Sequence, residues 1–252
     1  MLLGSLFGVL AAAAGILFLH PPAWFPASIT HAGEQYDSQF SLTLWISGLI
    51  FLFAHLLLIG VAFRFHSRPL HPRWETAGTF VATLLFTTLA FTGTRIWAGV
   101  HTDPIPVDAE RIEVLARQFA WNFRYPGPDG KLGRTSLKHV NDPAGNPFGI
   151  DPADPAGRDD IVTATLKVPA GRDIVLTLHA RDVIHDFFVR ELRLKQDAVP
   201  GMEIPYRFHA ETPGIYEIAC SELCGLGHSQ MRSTVEVMPV ALFEQWKHGH
   251  GL

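Results

Sequence analysis

Cysteine is scarce in this chain: of 252 residues, two are cysteines, Cys220 and Cys224. A framework of several disulfides is therefore excluded. Cys-x-x-Cys-His is also absent, which excludes a c-type haem attached to the chain. Positive charge is missing from the opening quarter, where the first Lys or Arg is Arg64. A secretory signal begins with a basic segment, and this N-terminus has none. The net charge is −4 with His neutral, and no nucleic-acid partner is expected.

Long apolar runs fill the space left by charge. Residues 2–19 form the first, read as a retained helix (domain 1–22) in preference to a cleaved signal. Residues 42–63 carry no formal charge and as a helix are about 33 Å long, enough to cross a hydrocarbon core of roughly 30 Å. His55 lies within that run, and a histidine at such depth normally faces a protein neighbour or water. A second span is expected over residues 76–94, rich in Thr and Gly that suit close helix packing. Arg95 and Trp97 mark its interfacial end. Arg64, Arg68 and Arg73 lie between the spans and place that loop in the cytoplasm, so residues after Val100 lie outside. The anchor is thus residues 23–100, surrounded by membrane lipid.

Residues 101–252 form the outer domain, and from about Val107 the pattern changes to short alternating apolar runs, such as 161–168 and 173–178, broken by Pro and Gly. These are β-sandwich signals. The fold class expected is membrane-anchored all-β, a transmembrane helical hairpin followed by a Greek-key β-sandwich. Residues 125–160 are polar and crowded with Pro, Gly and Asp, and are expected to be a surface insertion without core residues. Four of 20 basic and three of 24 acidic residues fall in the first hundred, which leaves the outer domain at about −5. Such a bias favours encounter with a basic partner.

The chemistry concentrates between Cys220 and Met231, which reads Cys-Ser-Glu-Leu-Cys-Gly-Leu-Gly-His-Ser-Gln-Met. Two thiols, an imidazole and a thioether on one short segment suit a soft, redox-active metal, with copper the natural occupant. Cys224, His228 and Met231 have the spacing of a mononuclear blue-copper loop, which also needs a histidine from a distant strand. His185, in Asp-Val-Ile-His-Asp-Phe-Phe, supplies it. Adding Cys220 permits two bridging thiolates between two metal ions, one histidine ending each side. A disulfide and a structural two-Cys, two-His zinc site are the alternatives. Zinc leaves Met231 and Glu222 without a role.

The segment resembles the binuclear copper A loop of the cytochrome c oxidase subunit II family, Cys-Ser-Glu-x-Cys-Gly-x-x-His-x-x-Met. Arg-Asp-Val-Ile-His before the first histidine and Leu-Lys-Gln-Asp-Ala-Val-Pro-Gly after it are similar to the family too. The resemblance implies a cupredoxin-like domain in which Cys220 and Cys224 bridge, His185 and His228 terminate, and Met231 is an axial ligand. It implies two roles for Glu222, a backbone carbonyl on copper and a side chain on magnesium at the junction with subunit I. Gln118-Phe-Ala-Trp-Asn-Phe resembles the family's Gln-Trp-x-Trp strand, whose first tryptophan lies on the electron-uptake surface. Here Phe119 stands at that position and Trp121 at the second, so Trp121 and Phe119, with Asp182 contributing charge, are the uptake candidates. Glu75 and Thr79 match the family's Glu-x-x-Trp-Thr at a cytoplasmic proton path, with Gly78 replacing the Trp. A helix-start carboxylate favoured by the helix dipole is the alternative for Glu75.

By the same resemblance the chain is subunit II of a respiratory oxidase in a bacterial inner membrane, its copper domain periplasmic. It takes electrons from a c-type cytochrome and passes them to the haem of subunit I, where oxygen is reduced and protons are translocated. A quinol-oxidase subunit lacks the copper ligands that are present here. A nitric-oxide reductase subunit with the same copper centre, and a membrane-tethered copper chaperone, are the other readings.

Overall fold

The computed structural model describes residues 26–64 and 72–250; the expected first helix and Arg68 lie outside the described residues. Helix α1 (His31–Arg64) and helix α2 (Pro72–His101) are both long and apolar enough to cross a membrane. At 1.5 Å per residue α1 is about 51 Å long, well beyond a hydrocarbon core. Both helices therefore outrun the spans expected at 42–63 and 76–94. The extra turns at the start of α1 are polar, and those at its start and at the end of α2 meet the β domain. Gln39 joins the two helices, donating to the Leu89 carbonyl at 3.3 Å and accepting from the Thr92 hydroxyl at 3.1 Å. His55 donates from Nδ1 to the Phe51 carbonyl at 2.8 Å, so its polar edge is satisfied within its own helix.

Arginines fasten the outer domain to this hairpin. Arg193 holds Asp37 with two hydrogen bonds of 2.7 and 2.6 Å and reaches the Pro26 carbonyl. Arg207 donates to the carbonyls of Gly99 and Pro104, just where α2 ends. Ile29 donates its N–H to the Glu191 carbonyl and accepts from Glu211 N–H. The start of α1 and the end of α2 are thereby both tied to the β domain.

That domain is a sandwich of two five-stranded sheets. One contains β1 (Glu110–Arg117), β2 (Ala120–Tyr125), β3 (Ile161–Thr163), β5 (Asp173–Ala180) and β8 (Ile204–His209), in the order β3-β2-β1-β5-β8. The other has the order β4-β10-β9-β6-β7, from β4 (Leu166–Pro169), β6 (His185–Val189), β7 (Leu194–Ala198), β9 (Gly214–Cys220) and β10 (Arg232–Met238). A closing helix, α3 (Val240–His250), packs Phe243 into the core and Trp246 against Tyr125. Period-2 alternation puts Ile112, Val114 and Ala116 of β1 and Ile174, Leu176 and Leu178 of β5 on the inner face, all essentially fully buried. Phe187, Val189, Val235 and Val237 answer them from the second sheet.

Two expectations need correction. Residues 161–168 are not one strand: β3 pairs with β2 and β4 with β10, so the chain changes sheets at Thr163–Thr165. The buried positions change parity across that corner, from Ile161 before it to Leu166 and Val168 after it, although both halves face the same core. Nor is 125–160 free of core. Tyr125 ends β2 with no exposed surface, and the segment after it folds over the outer face of the first sheet. There it buries Arg124, whose guanidinium donates to Asp160, to Glu113 at 2.9 Å and to the Gly133 carbonyl. Arg124 and Asp160 side chains are 1% and 0% exposed. A charge buried this way must be paired, and breaking such a pair costs about 3–5 kcal/mol.

Candidate metal centre

The second sheet delivers the candidate ligand residues to one end of the sandwich. His185 is the first residue of β6 and Cys220 the last of β9, and Cys220 stands two residues along from His185, opposite Phe187. Residues 221–231 form the loop between β9 and β10, closed at its mouth by Cys220 N–H donating to the Met231 carbonyl at 3.1 Å. Within it a short 3-10 turn (His228–Gln230) swings His228 and Met231 back over the cysteines.

The donor atoms converge. Cys220 Sγ and Cys224 Sγ lie 3.8 Å apart, against about 2.05 Å for a disulfide. His185 Nδ1 is 4.0 Å from Cys220 Sγ, and His228 Nδ1 is 3.7 Å from Cys224 Sγ. Met231 Sδ approaches Cys224 Sγ at 3.8 Å, while the Glu222 carbonyl oxygen lies 3.2 Å from Cys220 Sγ. The ligand atoms of His185, Cys220 and Cys224 all fall within 4.8 Å of one another, and the three residues are buried. Burial, reinforced by the hydrogen bond and charge of Cys220, pushes the Cys224 thiol up to about 11. A metal entering here must displace that proton, which a soft thiophilic cation does. Sulfur, imidazole, thioether and carbonyl donors in this arrangement fit copper, and they give Met231 and Glu222 a place that zinc does not. The Glu222 side chain points outward and is exposed.

Around these donors lies a supporting layer only partly anticipated in the sequence. Asp182 Oδ1 is 2.8 Å from His185 Nε2, on the far side of the ring from the sulfurs. The same carboxylate accepts the N–H groups of Gln118 at 2.7 Å and Val183 at 2.8 Å. Partial burial alone would raise its pKa, but these hydrogen bonds together hold it below the usual range. Asp182 was expected as a docking charge; its carboxylate is instead committed to the first histidine. An Asp three residues before a ligand histidine was the available signal. Asp186 is buried, accepts the Ser221 hydroxyl and the Lys195 ammonium, and so cross-links the two ligand strands. Gln118 donates its side-chain amide to the Cys224 carbonyl at 2.5 Å. Neither contact had a local sequence signal.

Phe119 and Trp121, expected together on the uptake surface, are separated. Phe119 occupies the two-residue turn between β1 and β2 and is 38% exposed. Its ring lies on the ligand loop, where a Cβ on Gly227 would stand 2.5 Å from it. Gly225 is in the left-handed half of backbone space, φ 135°, beneath the same turn. Trp121, on β2, is 2% exposed. Its indole meets Phe187 edge-on at 5.2 Å and His185 at 6.2 Å. Trp121 is corrected to a core residue beneath the site, because strand alternation turns it inward while Phe119 sits in the turn. Glu75 is exposed in the first turn of α2, far along the chain from the metal site, and its carbonyl accepts the Thr79 hydroxyl.

The family described as cytochrome c oxidase subunit II, periplasmic domain, matches residues 155–238. The alternative cytochrome c oxidase subunit 2 of Bradyrhizobium diazoefficiens is 32% identical over 256 residues, covering 96% of this chain and 90% of that one. Cytochrome c oxidase subunit 2 of Cereibacter sphaeroides is 28% identical over 244 residues, 88% and 78% of the two chains. Among solved structures, the periplasmic domain of subunit II of cytochrome oxidase of Bradyrhizobium japonicum aligns with 58% of this chain and 96% of its own, at 25% identity and a TM-score of 0.43. With a relative this similar across nearly the full length of both, the chain belongs to the cytochrome c oxidase subunit II family.

Proposed function

We propose that this chain is the electron-uptake subunit of a respiratory oxidase, holding two copper ions between Cys220 and Cys224. The observation that carries the reading is the pair of unbonded, buried sulfurs 3.8 Å apart, with one imidazole nitrogen beside each. Cys220 and Cys224 would supply the shared thiolates, His185 and His228 the imidazole donors, and Met231 and the Glu222 carbonyl the weaker donors that hold the pair. A thiolate-bridged copper pair, when bound, accepts and releases one electron with little change of geometry. The chain's part is to keep that geometry fixed. Asp182 orients His185, Gln118 fixes the Cys224 carbonyl, and Phe187 and Trp121 pack beneath the ligands and exclude water.

The donor is a separate c-type cytochrome docking near Phe119, and the acceptor is a haem of subunit I, where oxygen is reduced and protons are moved. The two apolar helices hold the chain in a bacterial inner membrane, with the β domain on the periplasmic side. The exposed Glu222 carboxylate is the chain's contribution to a magnesium site at the subunit I junction. Glu75, at the start of α2, is its contribution to a proton path.

Copper analysis and electron paramagnetic resonance on the purified subunit test the reading. Two coppers per chain sharing one unpaired electron are expected. A single-copper blue spectrum from fully loaded protein overturns it, and exchangeable single-copper binding favours a chaperone. Co-purifying subunits and their haems separate an oxygen-reducing complex from a nitric-oxide-reducing one.

A further inference from the structure

The segment after Tyr125 does more than cover a sheet. Its middle is a compact turn in which Asn141 and Asn146 exchange two backbone hydrogen bonds of 2.9 Å, and the Asn141 side chain caps a 3-10 helix (Asp142–Ala144). That turn presents Asp142. Arg181 grips it with two parallel hydrogen bonds, Nη1 to Oδ1 at 3.0 Å and Nη2 to Oδ2 at 2.9 Å. Arg117 adds a contact at 3.5 Å and is itself held by Asn122 at 3.1 Å.

Each of these arginines is the chain neighbour of a residue that supports the metal centre. Arg117 precedes Gln118, which binds the Cys224 carbonyl, and Arg181 precedes Asp182, which binds His185. Arg181 N–H also donates to the Ala116 carbonyl at 3.0 Å, which fixes the backbone from which its side chain departs. A guanidinium beside a carboxylate that three other donors already share is a competitor for it. Were Arg181 released, Asp182, its chain neighbour, whose negative charge already acts on it, would be open to it as an acceptor. The bidentate grip of Asp142 removes that option.

We propose that Asp142 is a positioning residue for the metal centre, holding Arg181 away from Asp182 so that the carboxylate stays committed to His185 Nε2. This rests on the copper reading above. A carboxylate shared with a guanidinium makes His185 a weaker electron donor to the metal, which favours the reduced state and raises the potential. The insertion thereby sets the electronics of a site it never touches.

The test uses the full chain in detergent, loaded with copper and also metal-free. Asp142→Ala should raise the reduction potential and alter the copper hyperfine pattern without changing copper content. Asp142→Glu should restore both, and so should Asp142→Ala combined with Arg181→Gln, because the second change removes the competitor. In metal-free protein, Asp142→Ala should shift the His185 Nε2–H resonance, and the double variant should return it. A merely structural role for Asp142 lowers the melting temperature in the single and double variants alike and moves neither spectrum; that result overturns the proposal. Asp142→Asn, which keeps the turn and removes the charge, serves if the alanine variant does not fold. Absence of a two-copper signal in the unmodified chain would sink the copper reading alone, leaving the His185 resonance to decide the role of Asp142.

Discussion

His185 is held from both sides: its Nδ1 faces Cys220 Sγ at 4.0 Å, and its Nε2 lies 2.8 Å from Asp182 Oδ1. A metal on Nδ1 requires the proton on Nε2, and the carboxylate at Nε2 stabilises that tautomer. Ring orientation, tautomer and ligand basicity thus depend on one side chain three residues upstream.

Asp182→Asn keeps the shape and removes the charge. Copper affinity should fall by about 10–100-fold, the usual cost of losing such an outer partner. Competition with a chelator of known affinity measures it. Unchanged affinity would show that packing alone orients His185.

How much of this was legible beforehand differs from residue to residue. The four residues of the 220–231 loop that bear ligand side chains were readable because one short segment carries them at fixed spacing, and His185 because its flanking residues mark it. The helical spans were readable from their lack of charge, though not their ends, since the polar turns of α1 are helical by virtue of distant partners such as Arg193. Burial of Arg124 was invisible, because its partner Asp160 is 36 residues away and only the fold makes them neighbours. Trp121 and Phe119 share parity in the sequence, and only the turn at 118–119 sends them to different environments.

Replacing Cys220 by Ser should leave Cys224, His185, His228 and Met231 able to hold one copper at most. Met231→Leu should keep both coppers and shift the potential, since an axial thioether tunes more than it binds. Metal analysis with paramagnetic resonance distinguishes the two. A two-copper signal from Cys220→Ser would remove Cys220 from the bridge.

Without metal, the raised pKa of Cys224 has a consequence for stability. The thiol ionises near its ordinary value, about 9, when unfolded, and near about 11 when folded. Below pH 9 both states hold the proton and the full contribution is present. Between 9 and 11 the unfolded state loses it first, so folding stability should fall as pH rises through that window. Denaturant melts of metal-free protein at a series of pH values report the slope. Cys224→Ser should flatten the curve over that range, and an unchanged slope in the variant would assign the effect to another group.

Phe119 and Trp121 should fail in different ways, because one faces solvent over the ligand loop and the other lies beneath the ligands. Phe119→Ala removes a partly exposed ring that touches Gly225 and Gly227, the loop glycines around Cys224. Copper content should be retained while reduction by a c-type cytochrome slows, with the ionic-strength dependence of association largely kept. Trp121→Ala empties a core site against Phe187 and His185. It should cost about 3–5 kcal/mol of stability, as large aromatic deletions in cores do, and weaken copper retention through the loss of packing under His185. Stopped-flow reduction at several ionic strengths, paired with denaturant melts, separates these outcomes. If Phe119→Ala left donor kinetics untouched while Trp121→Ala slowed them with copper and stability intact, electrons would enter through the core indole, and the exposed ring would be only a cover for the loop.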